Sequence, residues 1–389
     1  MNNFEWSFDT KVIFGQNSET KVGNECIKYG KKALIVRSNG KHMEISNLMP
    51  TIRESLHNNN IEFIELYGIV PNPTIDKVRE GVEICKKENI DMILAVGGGS
   101  VIDTAKAIAV GAKYEGDVWD LFTQNIQINE VLPIGVVLTI AAAGSEGSIA
   151  SVITNPETNS KYDILHPLLR PKFAILNPAL TLSLPNYQTF CGVVDILAHA
   201  MERYFTNTKN VELTDRMGEA LMKTVVNNGL KLVQNPKDYD ARSEIMWAST
   251  LAHNGLLDTG RNSCWASHMI GTELSAYYNV AHGASLSVII PSWMKYVYKD
   301  DVARFARFAS EVFDVEYDKD NLELTALKGI DAITKFFKAM DMPTTMKELE
   351  ILDDSKFEDM ATQATRFGNI GCIKSLDKND IINIFLNCK

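Results

Sequence analysis

Apolar positions in the first half of the chain follow two alternating rhythms. Residues 33–36 (ALIV) and 91–96 (DMILAV) are short continuous apolar runs of the kind buried in a parallel sheet, and residues 61–66 alternate like a strand. Between them, residues 43–56 and 74–87 carry apolar side chains at helical spacing, and a further helix is predicted from about Val101. Strand, helix, strand, helix in this order predicts a parallel sheet with crossover helices. The rhythm changes near residue 185. Nine of the twelve prolines lie at or before Pro185, and only Pro236, Pro291 and Pro343 follow it. Long stretches with apolar residues at i, i+3 and i+4, such as 188–205 and 242–257, predict an all-helical second half. The expected architecture is a Rossmann-like α/β domain over 1–184 and an all-α domain over 185–389, with no internal repeat. A boundary between domains is a common place for a small-molecule cleft.

Composition narrows the function. A chain of 389 residues with 45% hydrophobic and 23% charged residues is an ordinary globular sequence. A net charge of -10 argues against nucleic acid and against an anionic membrane surface as partners. The N-terminus lacks a basic start followed by an apolar run, and the longest apolar stretch, 132–143, is too short to span a bilayer. A cytoplasmic protein is expected. Six cysteines, at 26, 85, 191, 264, 372 and 388, include no CxxC pair and read as scattered free thiols.

Gly97, Gly98, Gly99 and Ser100 follow the DMILAV run and open the helix VIDTAKAIAV. Glycines there let the backbone approach an anion, and a helix N-terminus offers free N–H groups, so a dinucleotide pyrophosphate would fit. Ser100 is a candidate helix cap or phosphate donor. The loop departs from G-x-G-x-x-G because Ile102 stands where the third glycine would be. The bland alternative is a tight strand-to-helix turn, and Asp103 alone is an ordinary first-turn acid.

Asp195 and His199 are four apart in GVVDILAHAMERYF, which puts both on one helical face among apolar neighbours. A buried Asp and His need partners, and a metal can serve both. His268 and His282 follow in HMIGTELSAYYNVAH, and the four together would make an Asp-His₃ site suited to Fe²⁺ or Zn²⁺, with Mn²⁺ or Ni²⁺ as alternatives. Against this stands the ordinary reading of helical histidines as core or surface residues. His253 has no matching carboxylate and reads as structural; His42, His57 and His166 have no ligand spacing.

With these residues in place, the chain resembles the iron-containing (group III) alcohol dehydrogenases, and within them the bacterial butanol dehydrogenase branch. The resemblance runs along the whole chain, through AVGGGSVIDTAKAIA, AAAGSEGS, NPALTLSLP, GVVDILAHAMERYF, TDRMGEAL, ARSEIMWAST and ELSAYYNVAHGASLSVIIPSWM. It implies an N-terminal dinucleotide-binding domain, a C-terminal helical metal-binding domain, and hydride transfer between NAD(P)H and a small primary alcohol or aldehyde in a homodimer. Its metal ligands fall on Asp195, His199, His268 and His282, with Asp195 and His282 acting in catalysis through the metal. Its cofactor residues fall on Gly97, Gly98, Gly99, Ser100 and Asp103, with Thr139, Ser145, Lys161 and Leu180 nearby. Three departures stand out. Thr272 occupies the position where the family often has a proton-relaying histidine, and a hydroxyl cannot hold a proton near neutral pH. AGSEG replaces TGSEM, and RSNGK replaces YGGGS after the first strand. The last substitution bears on the cofactor: Arg37, Ser38, Asn39, Gly40 and Lys41 include no acid to bind ribose hydroxyls, which favours NADP, with NAD as the alternative. Two competing readings are a lyase resembling dehydroquinate synthase, which would need a strongly basic pocket, and a catalytically silent nucleotide-binding protein.

Overall fold

The apolar runs of the first half become strands of one parallel sheet. The computed structural model describes every residue except Lys41, His42, Ile45 and Asn159. Lys41, expected among the cofactor-side donors, and His42 therefore lie outside the described residues. The chain separates into two compact units, Ser7–Ser183 and Leu184–Lys389, the latter with Met1–Trp6.

In the first unit the sheet strands are β1 (Lys11–Phe14), β2 (Lys32–Ser38), β3 (Glu62–Ile69), β4 (Met92–Gly97), β5 (Ile134–Leu138) and β8 (Phe173–Leu176). All pairs are parallel, in the order β1-β8-β5-β4-β2-β3. Every residue of β4 and β5 is buried, which is why these segments read as continuous apolar runs and do not alternate. The chain steps from β2 outwards to β3 and then returns to β4 on the other side of β2. That reversal creates a switch point at the carboxyl ends of β2 and β4, the place where open α/β sheets bind ligands.

The connecting helices are α1 (Val22–Cys26), α2 (Leu48–Asn58), α3 (Ile75–Glu88), α4 (Gly99–Gly111) and α5 (Asp120–Thr123). Within the helix predicted over 43–56, Met43 and Glu44 are helical, and α2 begins at Leu48 after Asn47 takes a left-handed φ of 63°. Pro50 consequently falls in the first turn, where its missing N–H has no partner to lose. β6 (Ala150–Asn155) and β7 (Ser160–Leu165) form a separate antiparallel hairpin that the sequence pattern did not announce.

The second unit is helical: α6 (Asn186–Tyr204), α7 (Glu212–Gln234), α8 (Tyr239–His253), α9 (Ala266–Tyr278), α10 (His282–Val297), α11 (Val302–Phe313), α12 (Leu322–Ala339), α13 (Phe357–Ala364) and α14 (Lys378–Asn387). α6 is buried continuously from Gly192 to Tyr204 and forms its centre. The TDRMGEAL motif secures the end of α6. Asp215 accepts from Arg304 at 3.0 Å and pairs with Arg261 at 2.9 Å, and Glu219 accepts from Tyr204 Oη at 2.9 Å. Among the described residues, no helix is long and apolar enough to cross a membrane.

One buried cation organises the segment after β5. Lys106, on α4, has no exposed surface. Its Nζ lies 2.8–2.9 Å from the carbonyl oxygens of Ser145, Ser148 and Ala150, and 3.0 and 3.1 Å from the hydroxyls of Ser145 and Ser148. Burial pulls the ammonium down to about 8, with Asp103 opposing the shift. These acceptors can only be satisfied by a donor-rich group, so the lysine is the structural reason AAAGSEGS holds its path. Lys106→Met should cost about 3 kcal/mol in a urea titration, because three main-chain acceptors lose their donor. A loss below about 0.5 kcal/mol would mean the contacts are incidental to stability.

Candidate functional site

Three helices of the second unit deliver the candidate metal ligands. α6 presents Asp195 and His199 one turn apart, both buried. His268 lies in the first turn of α9, just after Trp265 takes a left-handed φ of 60°. His282 is the first residue of α10. Gly283 allows that placement: a Cβ there would stand 2.2 Å from the Cys191 carbonyl oxygen, so only glycine lets α10 start against the α6 backbone. Ser275 Oγ donates to Ser285 Oγ at 3.0 Å, and Ser285 Oγ lies 2.8 Å from the His282 carbonyl, tying α9 to α10.

These elements crowd three imidazoles around one carboxylate oxygen. Asp195 Oδ1 lies 3.2 Å from His199 Nδ1, 3.6 Å from His268 Nε2 and 3.8 Å from His282 Nε2. Ligand atoms of Asp195, His268 and His282 all fall within 4.8 Å of one another. Asp195 Oδ1 and His268 Nε2 are buried, and among the described residues neither meets a partner in hydrogen-bonding geometry. Buried polar atoms left so are rare, and a cation among them would satisfy both. The fourth expected ligand, His199, sits beside this trio. Its Nδ1 faces the Asp195 carbonyl at 2.8 Å, which turns Nε2 away from that bond, and its ring centroid is 4.4 Å from that of His268.

The charges are strongly coupled. Burial by itself would raise the Asp195 carboxyl, but His199, His268 and His282 outweigh it and hold it well below the usual carboxylate range. Burial pushes His199 down. It acts on His268 in the same direction, yet Asp195 and Glu202 together raise His268.

Glu202 is the residue that spacing analysis missed. It lies seven after Asp195, two helical turns on, with 1% exposure. One oxygen, Oε1, accepts from Ser267 Oγ at 2.6 Å and from the His268 N–H at 2.8 Å, and lies 3.2 Å from His268 Nδ1. A carboxylate at Nδ1 keeps the proton there and leaves Nε2 bare towards Asp195, the arrangement that orients a metal-binding imidazole. The signal was present as an acid on the buried face of an apolar helix. Arg203 Nη1 also donates to the His199 carbonyl at 2.8 Å. His253, read from sequence as structural, has its ring centroid 4.3 Å from that of His199; it comes from α8, so no local spacing could relate the two. Thr272 is half-buried, one turn beyond His268.

In the first unit, Gly97, Gly98 and Gly99 lie at the carboxyl end of β4 and the start of α4, at the switch point. A Cβ on Gly98 would stand 2.0 Å from Ile140 Cγ2, so the loop after β5 can pack against it only as glycine. Gly98 is the N-cap and makes no side-chain cap, so Ser100 falls inside the first turn and does not cap the helix. The Val101 and Ile102 N–H groups already donate to the Gly98 carbonyl at 3.0 and 3.1 Å, and the Gly99 and Ser100 N–H groups precede that ladder. Asp103 accepts from Ser145 Oγ at 2.7 Å and the Val152 N–H at 3.2 Å, bracing the segment that carries Ser145. Burial raises its carboxyl against the pull of Lys106. The Thr139 N–H donates to the Gly97 carbonyl at 3.0 Å. Lys161 Nζ donates to Asn72 Oδ1 at 3.0 Å, and Leu180 packs on the sheet core.

Ser38 ends β2, the strand beside β4, and Asn39 follows it. Arg37 is engaged by acids from elsewhere in the fold: Nε donates to Glu65 Oε2 at 2.8 Å and Nη2 to Glu44 Oε1 at 3.4 Å. Arg53 binds both of these carboxylates as well.

Comparison with known proteins identifies the family. Residues 9–178 match the family described as iron-containing alcohol dehydrogenase, and residues 189–388 match its C-terminal family. The chain is 39% identical over 388 residues to the NADH-dependent butanol dehydrogenase A of Clostridium acetobutylicum, covering 99% of each. It is 31% identical to the NADPH-dependent aldehyde reductase YqhD of Escherichia coli, covering 90% of this chain and 89% of that one. The crystal structure of the NADH-dependent butanol dehydrogenase A of Thermotoga maritima superposes with a TM-score of 0.95 at 36% identity, covering 100% of this chain and 99% of that one. Two matched halves and full-length likeness to butanol dehydrogenases lead to one conclusion: this chain belongs to the iron-containing alcohol dehydrogenase family, in its bacterial butanol dehydrogenase branch.

Proposed function

We propose that the chain is a metal-dependent alcohol dehydrogenase and aldehyde reductase that moves hydride between a nicotinamide dinucleotide and a small primary alcohol or aldehyde, such as butanol and butyraldehyde. The observation that carries this reading is the trio of Asp195 and His268, both buried, and half-buried His282, with ligand atoms within 4.8 Å, backed by Glu202 at 3.2 Å from His268 Nδ1. A divalent ion held there, iron in the first instance and zinc as the alternative, would supply Lewis-acid polarisation of the substrate oxygen. The chain's own contribution is to hold the donors. Asp195, His268 and His282 supply three of them, and His199 supplies the fourth through Nε2. Glu202 fixes the His268 tautomer. Thr272 can pass a proton along a chain of donors but cannot store one near neutral pH, so proton exchange with solvent here does not rest on a histidine at that position. Gly97, Gly98, Gly99 and Ser100 receive the dinucleotide pyrophosphate at the switch point, with Thr139, Ser145, Ser38 and Asn39 beside it; Asp103 acts through Ser145, and Lys161 and Leu180 are peripheral members. A cytoplasmic homodimer remains part of the proposal on the family likeness.

The cofactor preference is revised towards NADH. The expectation of NADP drew on cationic donors after β2, and Arg37 is already paired with Glu65 and Glu44. A guanidinium neutralised by two carboxylates attracts a 2′-phosphate weakly. The similar enzymes from Clostridium acetobutylicum and Bacillus subtilis are described as NADH-dependent.

Metal analysis of anaerobically purified protein, paired with butyraldehyde reduction, tests the ligand assignment. His268→Ala should lose bound metal and activity together, and full metal occupancy in that variant would overturn it. Glu202→Gln keeps acceptors for Ser267 and the His268 N–H but removes the charge. Zinc affinity measured by chelator competition should then fall about 10- to 100-fold with the fold intact by circular dichroism. Parent-like affinity would reduce Glu202 to a packing group. For the cofactor, kcat/KM should be higher with NADH than with NADPH. Glu44→Gln combined with Glu65→Gln should shift the ratio towards NADPH by about tenfold, roughly one charge-assisted pair. An unchanged ratio would remove Arg37 from cofactor selection.

A further inference from the structure

Two cysteines 108 residues apart in sequence meet in the helical unit. The Cys372 N–H donates to Cys264 Sγ at 3.4 Å, so the two residues are in direct contact. Cys264 is buried at the entrance to α9, with its N–H bound to the Glu202 carbonyl at 2.7 Å. Cys372 is half-buried in the segment between α13 and α14. That segment is closed by reciprocal main-chain bonds between Ile370 and Leu376, at 3.1 and 2.8 Å, and turned by Gly371 at a φ of 89°. The geometry is fixed from both sides, so the contact does not depend on a free chain end.

The two sulfurs differ in character. Around Cys372, the Cys264 thiol, the Asn207 N–H and the Thr206 hydroxyl all favour the thiolate. Burial and the Glu202 carboxylate oppose it, and the neutral thiol has the Phe205 carbonyl to donate to at 3.4 Å. The donors prevail, led by the Cys264 hydrogen bond, and bring Cys372 down to about 7. The same contact raises Cys264. Burial pushes Cys26, Cys85, Cys191 and Cys388 up to about 12. An accessible, readily ionised thiol touching a second, buried thiol is the arrangement of an attacking and a resolving cysteine.

We propose that Cys264 and Cys372 form a dithiol site that reacts with hydroperoxides and closes reversibly to a disulfide. The Cys372 thiolate attacks the terminal oxygen of the hydroperoxide and breaks the O–O bond. The remaining oxygen leaves as an alcohol, or as water from hydrogen peroxide, and Cys372 becomes a sulfenic acid. Cys264 then attacks that sulfur, the S–O bond breaks, and water departs with the Cys264 proton. In sum the two thiols give up two electrons and two protons, and one hydroperoxide is reduced to one alcohol and one water. A small dithiol reductant restores the pair by thiol–disulfide exchange. The site stands apart from the metal reading, since neither cysteine is a proposed ligand.

The test uses the full-length protein loaded with zinc, which has no redox chemistry of its own. One equivalent of hydrogen peroxide at pH 7 should remove two hydrogens from the mass. Peptide mapping should show a single crosslink between Cys264 and Cys372, reversed by dithiothreitol. Cys264→Ser should stop at a Cys372 sulfenic acid that a 1,3-dione traps, and Cys372→Ser should form neither product. With limiting iodoacetamide at pH 7, Cys372 should alkylate at least ~10-fold faster than Cys26, Cys85 or Cys388. Oxidation spread over the six cysteines, a crosslink between any other pair, or no crosslink in folded protein would each overturn the proposal. The wild-type readouts do not depend on either variant folding.

Discussion

The helical unit is organised around a carboxylate that cannot be solvated. Asp195 Oδ1 is buried with three imidazole nitrogens at 3.2 to 3.8 Å, inside a helix whose neighbouring side chains are apolar. An isolated charge in such a place is costly by several kcal/mol, so the surrounding helices must bring it compensation. Much of the unit's geometry follows from that requirement. Gly283 exists to let α10 reach α6. The left-handed Trp265 starts α9 where His268 can face Asp195. Glu202 adds a second buried negative charge on the far side of His268. Two carboxylates and one dication sum to zero, so neutral imidazoles and a bound divalent ion give a centre with no net charge. Without the ion, the balance falls to protons on the histidines, which is the direction His268 takes.

The sheet unit meets a related problem with the opposite sign. Lys106 is a buried cation, and its partners are chiefly main-chain carbonyls of the 145–150 segment. Asp103 stands beside it and holds Ser145 from the other direction. The family motif GGGSVIDTAK therefore has two jobs divided by helical face. Its glycines make the turn at the end of β4, and its Asp and Lys fasten the loop that carries Ser145. A cofactor-binding motif read only as a list of cofactor contacts would miss the second job.

What sequence conveyed and what it withheld follow a physical divide. Continuous apolar runs gave β2 and β4, because burial on both faces leaves no alternation to confuse with a helix. The break before α2 was not legible, because the left-handed Asn47, and not hydrophobic spacing, sets it. The β6–β7 hairpin escaped because its exposed face breaks the apolar pattern. Asp195 and His199 were legible from a spacing of four on one helix. Glu202 was legible in principle, as a buried acid two turns further on. The approach of His253 and the contact of Cys264 with Cys372 were not, because each joins segments that only packing brings together.

Arg37 shows the same divide at its sharpest. In sequence it is an unopposed cation next to hydroxyls and an amide, which is a fair description of a phosphate-binding loop. In the fold its neighbours are set by the parallel pairing of β2 with β3, where Ile35 lies opposite Glu65. Glu65 is thereby within reach of the guanidinium two residues further along β2, and Glu44 closes the other side. Whether a basic side chain near a nucleotide site is available depends on the acid count across strands, which a local motif does not contain. The adenosine end of a dinucleotide is therefore the part of such a site where local reading is weakest. The proposed pyrophosphate end draws on main-chain N–H groups at a glycine turn, which a local motif does contain.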